Sequence, residues 1–207
     1  MFTGIITDIG TVRSVSRQAG GDTRLEIATP RPFTNVALGA SIALSGACMT
    51  VIDQGDEWFL FEVSDESLSK TTLGGWVAGR KINLERALKA GDELGGHYVS
   101  GHVDGVGRLT GRQEVAGSLR LTFALPKPFH RLVAPKGSIT LDGVSLTVNE
   151  VGATPGSALG ETEFTVNIIP HTATHTTLGA LAVGDGVNFE IDMLARYMAR
   201  LMETAGA

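Results

Sequence analysis

In the stretch Gly101-His102-Val103-Asp104-Gly105 a histidine stands among glycines, so its ring has room to meet a bound molecule. Imidazole titrates near neutrality, which suits it to general acid or base work. Read as a strand, Ser100, His102 and Asp104 share one face and His97 falls on the other, so His97 and His102 cannot chelate one metal from regular backbone. Further on, Gly143-Val-Ser145-Leu146-Thr147-Val148 sets Gly143, Ser145 and Thr147 against the apolar Val144, Leu146 and Val148. Earlier in the chain Gly46, Cys48 and Thr50 oppose Ala47, Met49 and Val51 in the same way. Each row of small polar groups lets a flat heterocycle approach and be hydrogen-bonded by backbone and hydroxyls, with Cys48 and Ser145 as potential nucleophiles. A solvent-facing Ser/Thr strand, a structural His102 and a core Cys48 are the competing readings for each feature alone. Recurrence of the row favours a site.

Other chemistries find no support. His171 and His175 can share a face, yet no third ligand stands at suitable spacing, so no metal site is expected. Ser145 lacks a Gly-x-Ser-x-Gly elbow, no Walker-type loop exists, and Gly105-Val-Gly107 is not followed by a helix, so a dinucleotide fold is not implied.

The elements that position these residues come in duplicate. Tyr98-Val-Ser-Gly-His-Val103 echoes Met1-Phe-Thr-Gly-Ile-Ile6, with His102 in the place of Ile5. Thr23–Phe33 returns as Leu119–Phe129, Ser41–Val51 as Ser138–Val148, Thr71-Thr-Leu-Gly74 as Thr176-Thr-Leu-Gly179, and Ile82-Asn-Leu-Glu85 as Val187-Asn-Phe-Glu190. The offset stays near 97 residues (97 from Gly4 to Gly101, 96 from Thr23 to Leu119) until a longer loop at Pro155–Gly160 and is 105 afterwards (Thr71 to Thr176). Two homologous domains explain this register: residues 1–96 and 97–191, followed by a helix over 192–207.

Period-two alternation, as in Leu119, Leu121, Phe123 and Leu125, marks half-buried strands. Ile82–Glu85 and Val187–Ile191 follow the same rule. About six short strands per half, with no long helix, predict an all-β fold of two small antiparallel barrels that close their own edges. Asp192 can cap the tail helix, on which Leu194, Tyr197, Met198 and Leu201 form an apolar stripe. That stripe either makes an oligomer contact or covers a barrel end. A formal net charge of -5 over 207 residues favours neither nucleic acid nor anionic lipid as partner. One cysteine fits a reducing compartment, and neither a signal peptide nor a membrane helix is read, so a cytoplasmic location is expected.

Met1-Phe-Thr-Gly-Ile, Gly101-His-Val-Asp-Gly105, the paired Gly-x-(Cys/Ser)-x-Thr-Val strands and the paired Thr-Thr-Leu-Gly segments together resemble the alpha-chain type of riboflavin synthase, built from two lumazine-binding domains. The resemblance covers residues 1 to 200. It implies two six-stranded Greek-key barrels, a homotrimer held partly by the C-terminal helix, and a cofactor-free dismutation. Two molecules of 6,7-dimethyl-8-ribityllumazine would exchange a four-carbon unit to give riboflavin and 5-amino-6-ribitylaminouracil. Carried over residue by residue, it implies first-barrel contacts from Gly4, Ile5, Ile6, Cys48, Met49, Thr50, Glu62, Val63, Ser64, Asp65, Glu66 and Ser67. Second-barrel contacts would be Gly101, His102, Val103, Ser145, Leu146, Thr147, Asn167, Ile168, Ile169, Pro170, His171 and Thr172. Lys136 would reach the first-barrel ligand of a neighbouring chain. Ser45 departs from a common Asn, and His171 stands opposite Glu66.

A dismutation needs one substrate copy as donor and another as acceptor, so two related but unequal pockets suit it. Matched positions differ as Ile5 and His102, Ser45 and Asp142, Cys48 and Ser145. His102, Ser145, Cys48 and Asp142 are the candidate catalytic residues, with His102 and Asp142 expected to work together in the second half. The alternative function is a non-catalytic lumazine- or flavin-binding protein.

Overall fold

The computed structural model describes residues 1–19, 21–33, 35–152, 159–160 and 162–205. Residues 155–158 of the longer second-half loop, and the last two positions of the helix expected over 192–207, lie outside them.

Twelve strands form two closed antiparallel barrels. The first contains β1 (Asp8–Arg17), β2 (Thr23–Ala28), β3 (Ser41–Leu44), β4 (Ala47–Gly55), β5 (Trp58–Val63) and β6 (Lys81–Arg86), in the order β1-β2-β5-β4-β3-β6. The second contains β7 (Gly105–Val115), β8 (Ser118–Ala124), β9 (Ser138–Leu141), β10 (Val144–Val151), β11 (Glu163–Ile168) and β12 (Gly186–Ile191), joined by the same pairings. Bulges also repeat: Val12/Ser14 and Val51/Asp53 return as Leu109/Gly111 and Val148/Glu150. Such kinks bend a short strand far enough to close a small barrel. Among the described residues three short α-helices, α1 (Asp65–Lys70), α2 (Lys127–His130) and α3 (Pro170–His175), and two 3-10 turns at Thr72–Gly75 and Thr177–Ala180 lie between strands, before the terminal α4 (Met193–Ala205).

Each barrel fills its interior from the inward half of the alternation. Leu25, Ile27, Phe59, Phe61 and Leu84 do so in the first, and Leu121, Phe123, Phe164, Val166 and Phe189 in the second, all buried. β6 and β12 depart from the half-buried expectation. Asn83, Glu85, Asn188 and Glu190, which alternation assigns to the outer face, are as buried as their apolar neighbours because that face meets the other barrel.

The seam is a pseudo-twofold exchange. The Asn83 side-chain amide donates to the carbonyl of Asp142 (2.8 Å), and that of Asn188 donates to the carbonyl of Ser45 (2.9 Å). In return Thr177 N donates to Asn83 Oδ1 (2.8 Å) and Thr72 N to Asn188 Oδ1 (2.7 Å), so each Thr-Thr-Leu-Gly segment docks on the opposite barrel. The hairpin turns Ser45-Gly46 and Asp142-Gly143 have positive φ at all four residues and lie back to back. A Cβ on Gly46 would sit 2.8 Å from Gly143 N, so only glycine permits this approach.

Asp192 caps α4 by accepting the Leu194 amide, and the helix is tied down by Arg196 donating to Asp104 and by Glu203 accepting from Arg131. Ala195 packs against the second barrel, while Leu194, Tyr197, Met198 and Leu201 stay 63–73% exposed. No helix among the described residues is long and apolar enough to cross a membrane.

Candidate functional site

Two glycine loops cross from one barrel to the other. Thr3 and Gly4 donate their amides to the carboxylate of Glu85 at 2.6 and 3.0 Å, which leaves the Gly4 carbonyl to accept Ser145 N at 2.8 Å. Ser100 and Gly101 donate to Glu190 at 2.7 and 2.9 Å, and the Gly101 carbonyl accepts Cys48 N at 2.9 Å. The glycines allow this contact. A Cβ on Gly4 would lie 2.5 Å from Ser145 Cβ and one on Gly101 2.6 Å from Cys48 Cβ, and both have φ near +80°. Ile6 then packs on the core of the second barrel and Val103 on that of the first. The grouping implied by sequence is therefore corrected: Gly4, Ile5 and Ile6 stand beside Ser145, and Gly101, His102 and Val103 beside Cys48.

At the second barrel, Ser145 is half-buried and its Oγ lies 2.7 Å from His97 Nδ1, whose Nε2 is 3.2 Å from Thr140 Oγ1. His97 meets Ser145 while His102 lines the cavity at Cys48, so the two histidines stand apart as expected, though strand alternation is not the reason. Residues 97–104 are not a regular strand: Val99 makes an isolated bridge to Phe2 and Gly101 has φ +81°, so alternation does not govern the stretch. Burial pushes the His97 pKa down, with Asp192 and Glu190 opposing. Ile5, Thr147, Asn167, Ile169, Pro170 and His171 are exposed, and Thr172 is half-buried. Leu146 and Ile168 face the core, so only their backbone is available outside.

Cys48 of the first barrel and the exposed His102 line a cavity of about 480 Å³ whose other walls include Met1 and, from the second half and α4, Ser100, Glu190, Arg196 and Tyr197. That volume lies within the range of small-molecule sites. Thr50, Glu62, Ser64, Asp65 and Glu66 are exposed and Ser67 half-buried, whereas Met49 and Val63 point into the core. Ser64 caps α1 by accepting Ser67 N, and Glu62 and Asp65 pair with Arg24 and Arg17.

Asp142 is not brought to His102. It sits in the seam turn, 3% exposed, where Oδ1 accepts Asn188 N at 2.8 Å, and it borders a different cavity with Arg80 and Thr177. Ser45 Oγ accepts Asn83 N in the same way, so the Ser45/Asp142 difference is one between two turn acceptors. Burial raises the Asp142 pKa to about 7, against the Asn188 amide and Arg80. Burial likewise raises that of Glu85, offset by its bonds to Thr3 and Gly4. Lys136 is exposed on a positive-φ turn, its amide donating to Val148.

His97, Thr140, Glu85 and Glu190 are not singled out by sequence motifs. The two glutamates did leave a signal, since Asn-x-Glu recurs in both copies within otherwise apolar strands.

A family model described as the lumazine binding domain matches residues 3–87 and again 100–192. A riboflavin synthase of Brucella abortus is 47% identical over 208 residues, covering 98% of each chain. One from Mycobacterium tuberculosis is 42% identical with both chains fully covered. Among solved structures, LumP complexed with riboflavin superposes with a TM-score of 0.79 at 23% identity, covering 92% of this chain and 99% of the other, a likeness of fold.

Proposed function

The chain belongs to the riboflavin synthase family of enzymes, and from that premise we propose that it converts two molecules of 6,7-dimethyl-8-ribityllumazine to riboflavin and 5-amino-6-ribitylaminouracil. The observation that carries this reading is the exchange of glycine loops. It yields two related but unequal half-sites, Gly4–Ser145–His97 and Gly101–Cys48–His102, each able to hold one substrate copy. Atoms balance without a further reactant, because the four carbons lost by the donor are those gained by the acceptor.

Orientation of two bound rings supplies much of the acceleration expected of such a reaction. The protein adds proton handling. With Nε2–H given to Thr140, His97 accepts at Nδ1 from the Ser145 hydroxyl and readies that oxygen for addition to, or proton removal from, the ring held by the second barrel. His102 serves the ring beside Cys48 as acid or base.

The domain division 1–96, 97–191 and 192–207, a homotrimer and a cytoplasmic location belong to the same proposal. The exposed stripe of α4 supports assembly, and in this reading Lys136 reaches a ligand on a neighbouring chain, a role its exposure supports. Incubation of the purified protein with 6,7-dimethyl-8-ribityllumazine, followed by riboflavin absorbance, tests the function. Turnover is expected; saturable binding without turnover would instead make it a carrier.

A further inference from the structure

His171 and His175, one turn apart on α3, are stacked with ring centroids 4.0 Å apart and planes inclined by 19°. Both residues are exposed. His175 Nδ1 lies 2.9 Å from the carbonyl of His171 and 3.0 Å from Thr174 Oγ1. A carbonyl only accepts, and the Thr174 hydroxyl proton is directed at the carbonyls of Pro170 and His171, both at 3.0 Å. Nδ1 must therefore be the donor. In the neutral ring this leaves the Nε2 lone pair free, the tautomer in which a backbone carbonyl orients a metal-binding imidazole.

We propose that His171 and His175 form a two-imidazole site for a late first-row divalent cation such as Ni(II), Cu(II) or Zn(II), with water completing the coordination shell. Residues at i and i+4 face the same way on a helix, so small rotations of two exposed rings bring both nitrogens onto one ion. The sequence argues against a metal here for want of a third protein ligand, and no group of three His, Cys, Asp or Glu side chains suited to a metal occurs among the described residues. The proposed site departs from that expectation by being an open two-arm chelate rather than a closed structural centre. Imidazole nitrogen selects the late transition metals, and hard cations such as Mg(II) are not held. The matched first-copy position of His171 is Glu66, which makes the pair a property of the second half alone.

The test is calorimetric titration of Ni(II) into the full-length protein, free of any histidine tag and without substrate. One Ni(II) per chain is expected, with no heat from Mg(II) under the same conditions. His175→Asn and His171→Asn, each verified folded by circular dichroism, should weaken binding about 10²-fold, as loss of one arm of a chelate does. Copper EPR of the wild type should show coupling to two imidazole nitrogens and of His175→Asn to one. Absence of a Ni(II) site in the wild type, or affinity retained in both variants, overturns the proposal.

Discussion

The buried carboxylate of Glu190 and the amide of Gly101 are joined by a 2.9 Å hydrogen bond, with a second bond from Ser100 N to the same group. That one acidic side chain sets the path of the loop that carries His102 against Cys48. Replacing Glu190 with Gln puts a donor amide where only acceptors fit and leaves a loop N–H unpaired, a loss of about 1–3 kcal/mol. Glu190→Gln should lower the unfolding midpoint and reduce turnover about tenfold or more. Unchanged steady-state rates would show that the loop needs no such anchor.

His97→Gln should leave ligand binding largely intact and reduce turnover on the order of 10²-fold, as expected for loss of a proton acceptor. The pH profile provides a second readout. Burial holds the His97 pKa below its ordinary 6.5, so the wild-type rate should fall only at pH values below that figure, as the ring gains a proton and ceases to accept. If the variant keeps the wild-type acid limb, another group controls it.

Asp142 gives a stability prediction. Its folded pKa, about 7, exceeds its ordinary 3.8 because burial disfavours the anion. The contribution is favourable at low pH and is lost as pH rises from about 4 through 7, since the unfolded chain releases this proton first. Asp142→Asn retains an acceptor for Asn188 N and removes the charge. Denaturant titrations should show the variant gaining on the wild type across that window, by on the order of 4 kcal/mol at most. A difference independent of pH would contradict the assignment.

The apolar stripe of α4 predicts that deletion of residues 192–207 leaves two folded barrels but a smaller assembly in sedimentation velocity, with activity falling in parallel. The same sedimentation behaviour with and without the helix would remove it from the contact.

The repeat and its strands were legible because periodic burial writes itself into sequence, and the doubled rows around Cys48 and Ser145 carry the proposal of a doubled site. The loop exchange was not. Gly4 and Gly101 show that something must approach closely, but matched motifs in two copies do not say which copy supplies the partner. Asp142 misled for a related reason. A polar residue matched to Ser45 resembles site variation, whereas both serve a buried left-handed turn. His97 was not legible because its partner Ser145 stands 48 residues away in sequence, with no motif joining the two.

In the proposed function each barrel holds one lumazine under a glycine loop from the other half. Fluorescence titration of 6,7-dimethyl-8-ribityllumazine against wild type, Gly4→Ala and Gly101→Ala tests it directly. Each alanine adds strain of about 1–2 kcal/mol at positive φ and drives a methyl into Ser145 or Cys48. Two ligands per wild-type chain and one per chain in either variant, with turnover lost in both, is the predicted result. Variants that still bind two ligands and turn over, or a wild-type chain that binds only one, would contradict the account.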